Sequence, residues 1–150
     1  MGMYEFLDYR VCDAMTEQPL TTGPDAPLAE IEAVFEKHDF NALPVVDAAG
    51  TLLGIVTKLD VLKAFRFTDE HMFPPYEEIM TRPVGEVMTR DLLTVTPRSL
   101  LTRVLQKMLD TRSKSFPVVD DGVLVGVIAR EDLLRALRRA ASGEKADGPI

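Results

Sequence analysis

The chain has 150 residues, of which 46% are apolar and 27% charged, and its formal net charge is −7. That composition is ordinary for a globular protein, and the negative balance argues against a general nucleic-acid surface, which needs a basic face for phosphates. The lone Cys12 excludes an intrachain disulfide and fits a reducing compartment, and no apolar run approaches the roughly 18 residues of a membrane span.

Met1 to Arg10 contains two acids and no apolar stretch of signal-peptide type, so a cytoplasmic location is expected. We expect this segment to add a helix to the first half of the chain. Leu20-Thr21-Thr22 is short, β-branched and followed closely by Pro24, which predicts an extended segment. Asp25-Ala26-Pro27 supplies a cap and an early-turn Pro for a helix through about Lys37. Its apolar residues Leu28, Ile31, Val34 and Phe35 have helical spacing. Ala42–Val46 and Leu52–Val56 read as strands of a hairpin closed by Asp47-Ala-Ala-Gly50. A further helix starts near Thr57 and carries Val61, Leu62 and Phe65.

Thr68 to Arg82, with His71, Phe73, Pro74-Pro75 and Tyr76, reads as a linker, because Pro-Pro breaks a helix. After it the pattern repeats. Met15-Thr16 returns as Met88-Thr89, Thr21 as Thr94, Pro24 as Pro97 and Leu28 as Leu101, each 73 residues on. Pro44-Val-Val-Asp47 returns as Pro117-Val-Val-Asp120. One deletion, Asp47-Ala-Ala-Gly50 becoming Asp120-Asp-Gly122, then moves Gly54 to Gly126 and Asp60 to Asp132. Leu93-Thr94-Val95 is the second extended segment. Ser99 opens a helix with Leu101, Val104, Leu105, Met108 and Leu109. Phe116–Val119 and Val123–Ile128 form the second hairpin. The last helix begins near Ala129 and carries Leu133, Leu134 and Leu137. Arg130, Arg135, Arg138 and Arg139 gather near its end, where cations complement the helix dipole.

The fold class is therefore α+β, with tandem β-α-β-β-α repeats. We divide it as 1–67 with the N-terminal helix, 68–82 as linker, and 83–150 with a C-terminal tail. A repeat of roughly 65 residues is marginal alone, so the halves are expected to share a core.

Enzyme signatures are missing. His38 and His71 are the only histidines, with no second ligand at zinc spacing, so no metal site is expected. No P-loop, dinucleotide Gly motif or nucleophile elbow appears. The informative run is Gly54-Ile-Val-Thr-Lys-Leu-Asp60. Thr-x-x-Asp at a helix start resembles a capping box, although Glu or Gln is the usual partner. In repeat two the run is Gly126-Val-Ile-Ala-Arg-Glu-Asp132, so the hydroxyl is lost at Ala129 while the acid stays. Capping alone gives that retention no obvious reason. A carboxylate there can also accept two hydrogen bonds from a ribose diol, and a helix start can hold a phosphate.

The order Met-Thr, short strand, Pro, helix, Pro-Val-Val-Asp and Gly-h-h-Thr-x-x-Asp, twice in tandem, resembles a cystathionine-β-synthase (CBS) domain pair over residues 11–66 and 84–138. The resemblance implies a disc-like regulatory module with pseudo-twofold symmetry. Its two clefts between the halves would take AMP, ADP, ATP or S-adenosylmethionine as a regulatory ligand, with no cofactor required. It implies that Asp60 binds ribose hydroxyls and that Thr57 contacts ribose or phosphate. Thr21, Thr22, Thr94 and Val95 would line the base pockets, with Ala42, Leu43, Pro44, Phe116 and Pro117. Lys114 would reach phosphate, with Asn41 as its counterpart. Thr57 and Asp60 would face Thr94 and Lys114; Asp132 would face Thr21 and Thr22. Ala129 departs from the Thr or Ser of the motif. The Asp132 site is thus expected to be weaker, empty, or compensated by Arg130.

These features together point to a non-enzymatic regulatory module that signals to an unidentified protein, forms a homodimer, and contacts neither nucleic acid nor membrane. The alternative is a dimerisation or assembly module with vestigial clefts, paired through helix faces such as Val61, Leu62 and Phe65 beside Leu133, Leu134 and Leu137.

Overall fold

The computed structural model describes residues 2–40, 42–66 and 75–143. Asn41, His71, Phe73 and the linker stretch 67–74 lie outside the described residues. In chain order the elements are β1 (Thr16–Glu17), α1 (Leu28–Lys37), β2 (Ala42–Val46), β3 (Leu52–Thr57), α2 (Lys58–Lys63) and α3 (Tyr76–Met80), then α4 (Leu101–Thr111), β4 (Ser115–Asp120), β5 (Val123–Ala129) and α5 (Arg130–Ala141). Short 3-10 turns occupy Gly2–Asp8, Val11–Asp13 and Val84–Glu86.

Both hairpins form as the turn residues dictate. β2 and β3 pair antiparallel, as do β4 and β5, each with a register shift, at Val45/Val46 and Val118/Val119. Asp121 (φ 53°) and Gly122 (φ 83°) are both left-handed, the backbone of a two-residue turn whose twist suits a hairpin. In the longer turn Asp47 Oδ1 accepts from the Ala49 and Thr51 amides at 3.0 Å and 2.9 Å, and Gly50 takes φ 87°.

The extended segments predicted before each first helix shrink to single parallel bridges, Thr22↔Val45 and Val95↔Val118. Pro24 and Pro97 follow two residues later and carry no N–H to continue a ladder. The N-caps also differ from expectation. Pro27 and Leu100 hold those positions without a side-chain bond, and Ser99 instead accepts from the Thr96 amide. The first helical amides bond to backbone carbonyls of distant segments. Leu28 N–H donates to the Arg82 carbonyl and Leu101 N–H to that of Tyr9, both at 3.0 Å.

Those bonds belong to a systematic exchange. We call residues 9–17 and 82–90 the leaders of the two repeats. Val11 N–H donates to Ser99 O, and its equivalent Val84 N–H to Ala26 O. Cys12 N–H donates to Pro97 O, and its equivalent Gly85 N–H to Pro24 O. Each leader thus docks on the other repeat. The chain accordingly divides into two compact units, 1–19 with 93–150, and 20–92, which cut across the sequence repeats.

Each unit encloses its own apolar cluster, to which both sequence repeats contribute. In the unit 20–92, Leu28, Ile31 and Phe35 of α1 pack with Leu43, Val45, Val56, Met80, Val84 and Met88. In the other, Phe6, Tyr9 and Val11 join Leu101, Val104, Met108, Phe116, Ile128, Leu133 and Ala136. The N-terminal segment, a 3-10 turn, therefore serves the second repeat and not the first. Burying Tyr9 and Phe6 there is the physical reason, since full burial of a large apolar side chain contributes about 1.5–3 kcal/mol.

Candidate functional site

The two acids at the starts of α2 and α5 are the buried polar residues of the described chain, Asp60 at 5% and Asp132 at 6% exposure. In the unit 20–92, Thr57 caps α2. Its Oγ1 accepts from the Asp60 amide at 3.1 Å, and Asp60 Oδ2 accepts from the Thr57 amide at 2.9 Å. The Thr-x-x-Asp capping box, for which Asp is the less usual partner, is thus present. Asp60 does more: the hydroxyl of Thr89, from the second leader, donates to Oδ1 at 3.1 Å and Oδ2 at 3.2 Å.

In the other unit Asp132 Oδ2 accepts from the Ala129 amide at 2.8 Å. Thr16, from the first leader, reaches Oδ1 at 3.4 Å, and Arg135 pairs with the same oxygen at 3.1 Å. The retention of Asp132 beside Ala129 now has a physical reason. The acid serves an amide, a leader hydroxyl and a guanidinium even where the cap hydroxyl is gone.

Local backbone explains how the threonines arrive. β1 pairs antiparallel with β5, Thr16 opposite Val127 and Glu17 opposite Gly126. Thr89 forms the equivalent bridge with Ile55, exchanging N–H···O bonds of 2.7 Å and 2.9 Å. The approach needs glycine. A Cβ on Gly54 would lie 2.6 Å from Thr89 O, and one on Gly126 would lie 2.8 Å from Thr16 O. The sequence displays the recurrence of Met15-Thr16 and of both glycines, but their spacing alone does not join them. A glycine inside an apolar strand is the signal of close backbone approach that could have done so.

The charge of the donors separates the two acids. A carboxylate offers about four lone-pair positions. Asp60 accepts three contacts from two neutral donors, the Thr57 amide and the Thr89 hydroxyl that spans both oxygens. Asp132 also accepts three, but one of them comes from a charged guanidinium. Among the described residues Asp60 has no cationic partner.

The other residues singled out by sequence divide by burial. Thr21, Thr94, Lys114 and Arg130 are exposed, and Thr57, Thr22 and Ala42 are half-buried. Leu43, Pro44, Val95, Phe116 and Pro117 are buried. Leu43, Val95 and Phe116 are core residues of their own units, so any ligand contact they make is through backbone. Phe116 carries the Lys107 ammonium 5.5 Å from its ring centre.

The guanidinium of Arg130 bonds backbone carbonyls and not Asp132. Arg130 opens α5 and donates to the carbonyls of Arg112 at 2.8 Å and Ser113 at 3.3 Å. Arg135, one turn on, is the cation that pairs with Asp132. Only Arg138 and Arg139 occupy the last turn, and Arg139 donates to Asp13 O while stacking 5.3 Å over Tyr9. Burial, reinforced by Asp13, pushes the Cys12 thiol up, which opposes a nucleophilic role. Among the described residues no three His, Cys, Asp or Glu groups could hold a metal ion, and no helix is long and apolar enough to cross a membrane.

Comparison with known proteins adds the wider context. Residues 11–66 and 84–139 each match the family model for the CBS domain. L-Aspartate semialdehyde sulfurtransferase of Methanocaldococcus jannaschii is 31% identical over 126 residues, which are 83% of this chain but 22% of that protein. Among solved structures, CBSX2 in complex with AMP superposes with a TM-score of 0.74 at 28% identity, covering 87% of this chain and 97% of the other. The CBS domain pair of protein MJ0100, in complex with 5′-methylthioadenosine and S-adenosyl-L-methionine, superposes with a TM-score of 0.66 at 30% identity. It covers 85% of this chain and 94% of the other.

Proposed function

The chain belongs to the CBS domain family, and on that premise we propose that it is a regulatory module for an adenosine-containing ligand such as AMP, ADP, ATP or S-adenosylmethionine. The observation that carries this reading is the Asp60 carboxylate, buried at a helix start and, among the described residues, held by neutral donors alone. A ribose cis-diol supplies two donors. AMP, 5′-methylthioadenosine and S-adenosylmethionine share that diol, and they are the molecules bound to the CBSX2 and MJ0100 proteins.

In this proposal Asp60 grips the diol and Thr57 contacts ribose or phosphate, with the positive end of α2 favouring the anion. Thr21, Thr22, Ala42, Leu43 and Pro44, and Thr94, Val95, Phe116 and Pro117, contribute base contacts, chiefly through backbone. Lys114 offers a charge to phosphate. Asp132 is the weaker acid for a ligand, because the charged Arg135 already pairs with it. Binding regulates a partner only through different affinities for two arrangements of the chain, so the output is a change in what the module binds. No step of catalysis is assigned to it, and the sulfurtransferase activity of the long relative belongs to a protein of which this chain spans about a fifth.

Isothermal titration with AMP, ATP, S-adenosylmethionine and GMP tests the reading. It expects saturable heat with the adenosine-containing ligands, while GMP, which carries the same diol, reports how much the base contributes. Silence with all of them would leave the second reading, an assembly module. One observation favours that alternative: both acids are buried and already hold donors from their own chain, which accounts for their presence without a ligand.

A further inference from the structure

We infer that Thr89 is a positioning residue for Asp60, setting the plane in which the carboxylate offers its remaining lone pairs to a ribose diol. The inference rests on the reading that Asp60 takes that diol. A carboxylate on a short side chain turns about a broad, roughly two-fold torsion. The Thr57 amide holds only Oδ2, at 2.9 Å, and by itself leaves Oδ1 free to swing. The Thr89 hydroxyl lies within bonding distance of both oxygens, at 3.1 Å and 3.2 Å, and so restrains the plane.

Thr89 is itself well anchored. Its amide and carbonyl are both bonded to Ile55, and Gly54 lets its backbone lie closer than any Cβ would permit. Its side chain is otherwise exposed, so losing the hydroxyl opens no cavity. The equivalent Thr16 contacts one oxygen of Asp132, at 3.4 Å, and shares it with Arg135. Thr16 is thus the weaker counterpart. The residue that orients the acid of repeat one comes from the leader of repeat two, which makes ligand affinity sensitive to that leader's docking.

The test compares AMP with 2′,3′-dideoxyadenosine monophosphate by titration on the parent, Thr89→Val, Thr89→Ala and Thr89→Ser. Loss of one hydrogen bond to a charged group corresponds to about a tenfold loss of affinity. The expected result is an AMP affinity about tenfold weaker in T89V and T89A and within about threefold of parent in T89S. The advantage of AMP over the dideoxy analogue should shrink by the same factor in T89V and T89A. A purely structural role would weaken both nucleotides alike, and that outcome, or unchanged AMP binding in T89V, overturns the inference. A parent that binds AMP no better than the analogue overturns the diol reading of Asp60 itself, and the positioning role with it.

Discussion

The Thr89 hydroxyl sits 3.1 Å and 3.2 Å from the two carboxylate oxygens of Asp60, tying the second leader to the last helix of the first repeat. Thr16 and Asp132 repeat the arrangement at 3.4 Å. One acid therefore closes a helix start and fastens a chain segment from the other repeat. Any ligand that engages it acts on a junction shared by capping, docking and binding.

The docking half of that junction depends on missing Cβ atoms. Gly54→Ala places a Cβ against the Thr89 carbonyl, and Gly126→Ala against that of Thr16. Backbone cannot yield as a flexible side chain does, so each substitution should cost about 1–3 kcal/mol. Urea denaturation of the two variants checks this. A loss under about 0.5 kcal/mol, the range of an ordinary surface change, would contradict the close approach.

The capping half predicts opposite effects in the two repeats. Thr57→Ala removes the hydroxyl that accepts the Asp60 amide and should cost about 1 kcal/mol, or roughly 2–4 °C in Tm for a chain of this size. Ala129 has the extended backbone of a cap, φ −113° and ψ 169°. Ala129→Thr should therefore complete the second box and raise stability by about 0.5–1 kcal/mol. Differential scanning calorimetry reads both, and a destabilised A129T would refute the equivalence of the two helix starts.

Local pattern made much of this fold legible. The helix faces of Leu28, Ile31 and Phe35 and of Leu101, Val104 and Met108, the two hairpins, and the starts of α2 and α5 come from spacing and turn chemistry over a few residues. Leu109 breaks the pattern: it continues the helical spacing yet is 64% exposed, while Leu101, Val104 and Met108 are the buried residues of α4. The leader exchange is the larger gap. Thr16 meets Asp132 across 116 residues of chain, and no local propensity encodes such a pairing. The helix caps escaped for the same reason. Arg82 and Tyr9 act through main-chain carbonyls, which carry no side-chain signature. At the site, Thr57 and Asp60 were legible as a capping box, whereas the donors competing for each acid were not.

Leu62 and Leu134 occupy equivalent positions on α2 and α5 and are 67% and 66% exposed. Neither serves its own core, unlike Leu133, so Leu62→Ser and Leu134→Ser should change unfolding stability by less than about 0.5 kcal/mol. If the chain pairs through these helices, as the assembly reading requires, the double variant should shift sedimentation from dimer to monomer. Unchanged sedimentation would remove these leucines from any interface.

Two acids that look alike in sequence differ in the charge of the donors that already hold them. Calorimetric titration of AMP into the parent, Asp60→Asn and Asp132→Asn measures that inequality directly. Affinity should fall about tenfold or more in D60N, and change less in D132N, where Arg135 already occupies the carboxylate. Equal affinity of D60N and parent, with both folded, would contradict it.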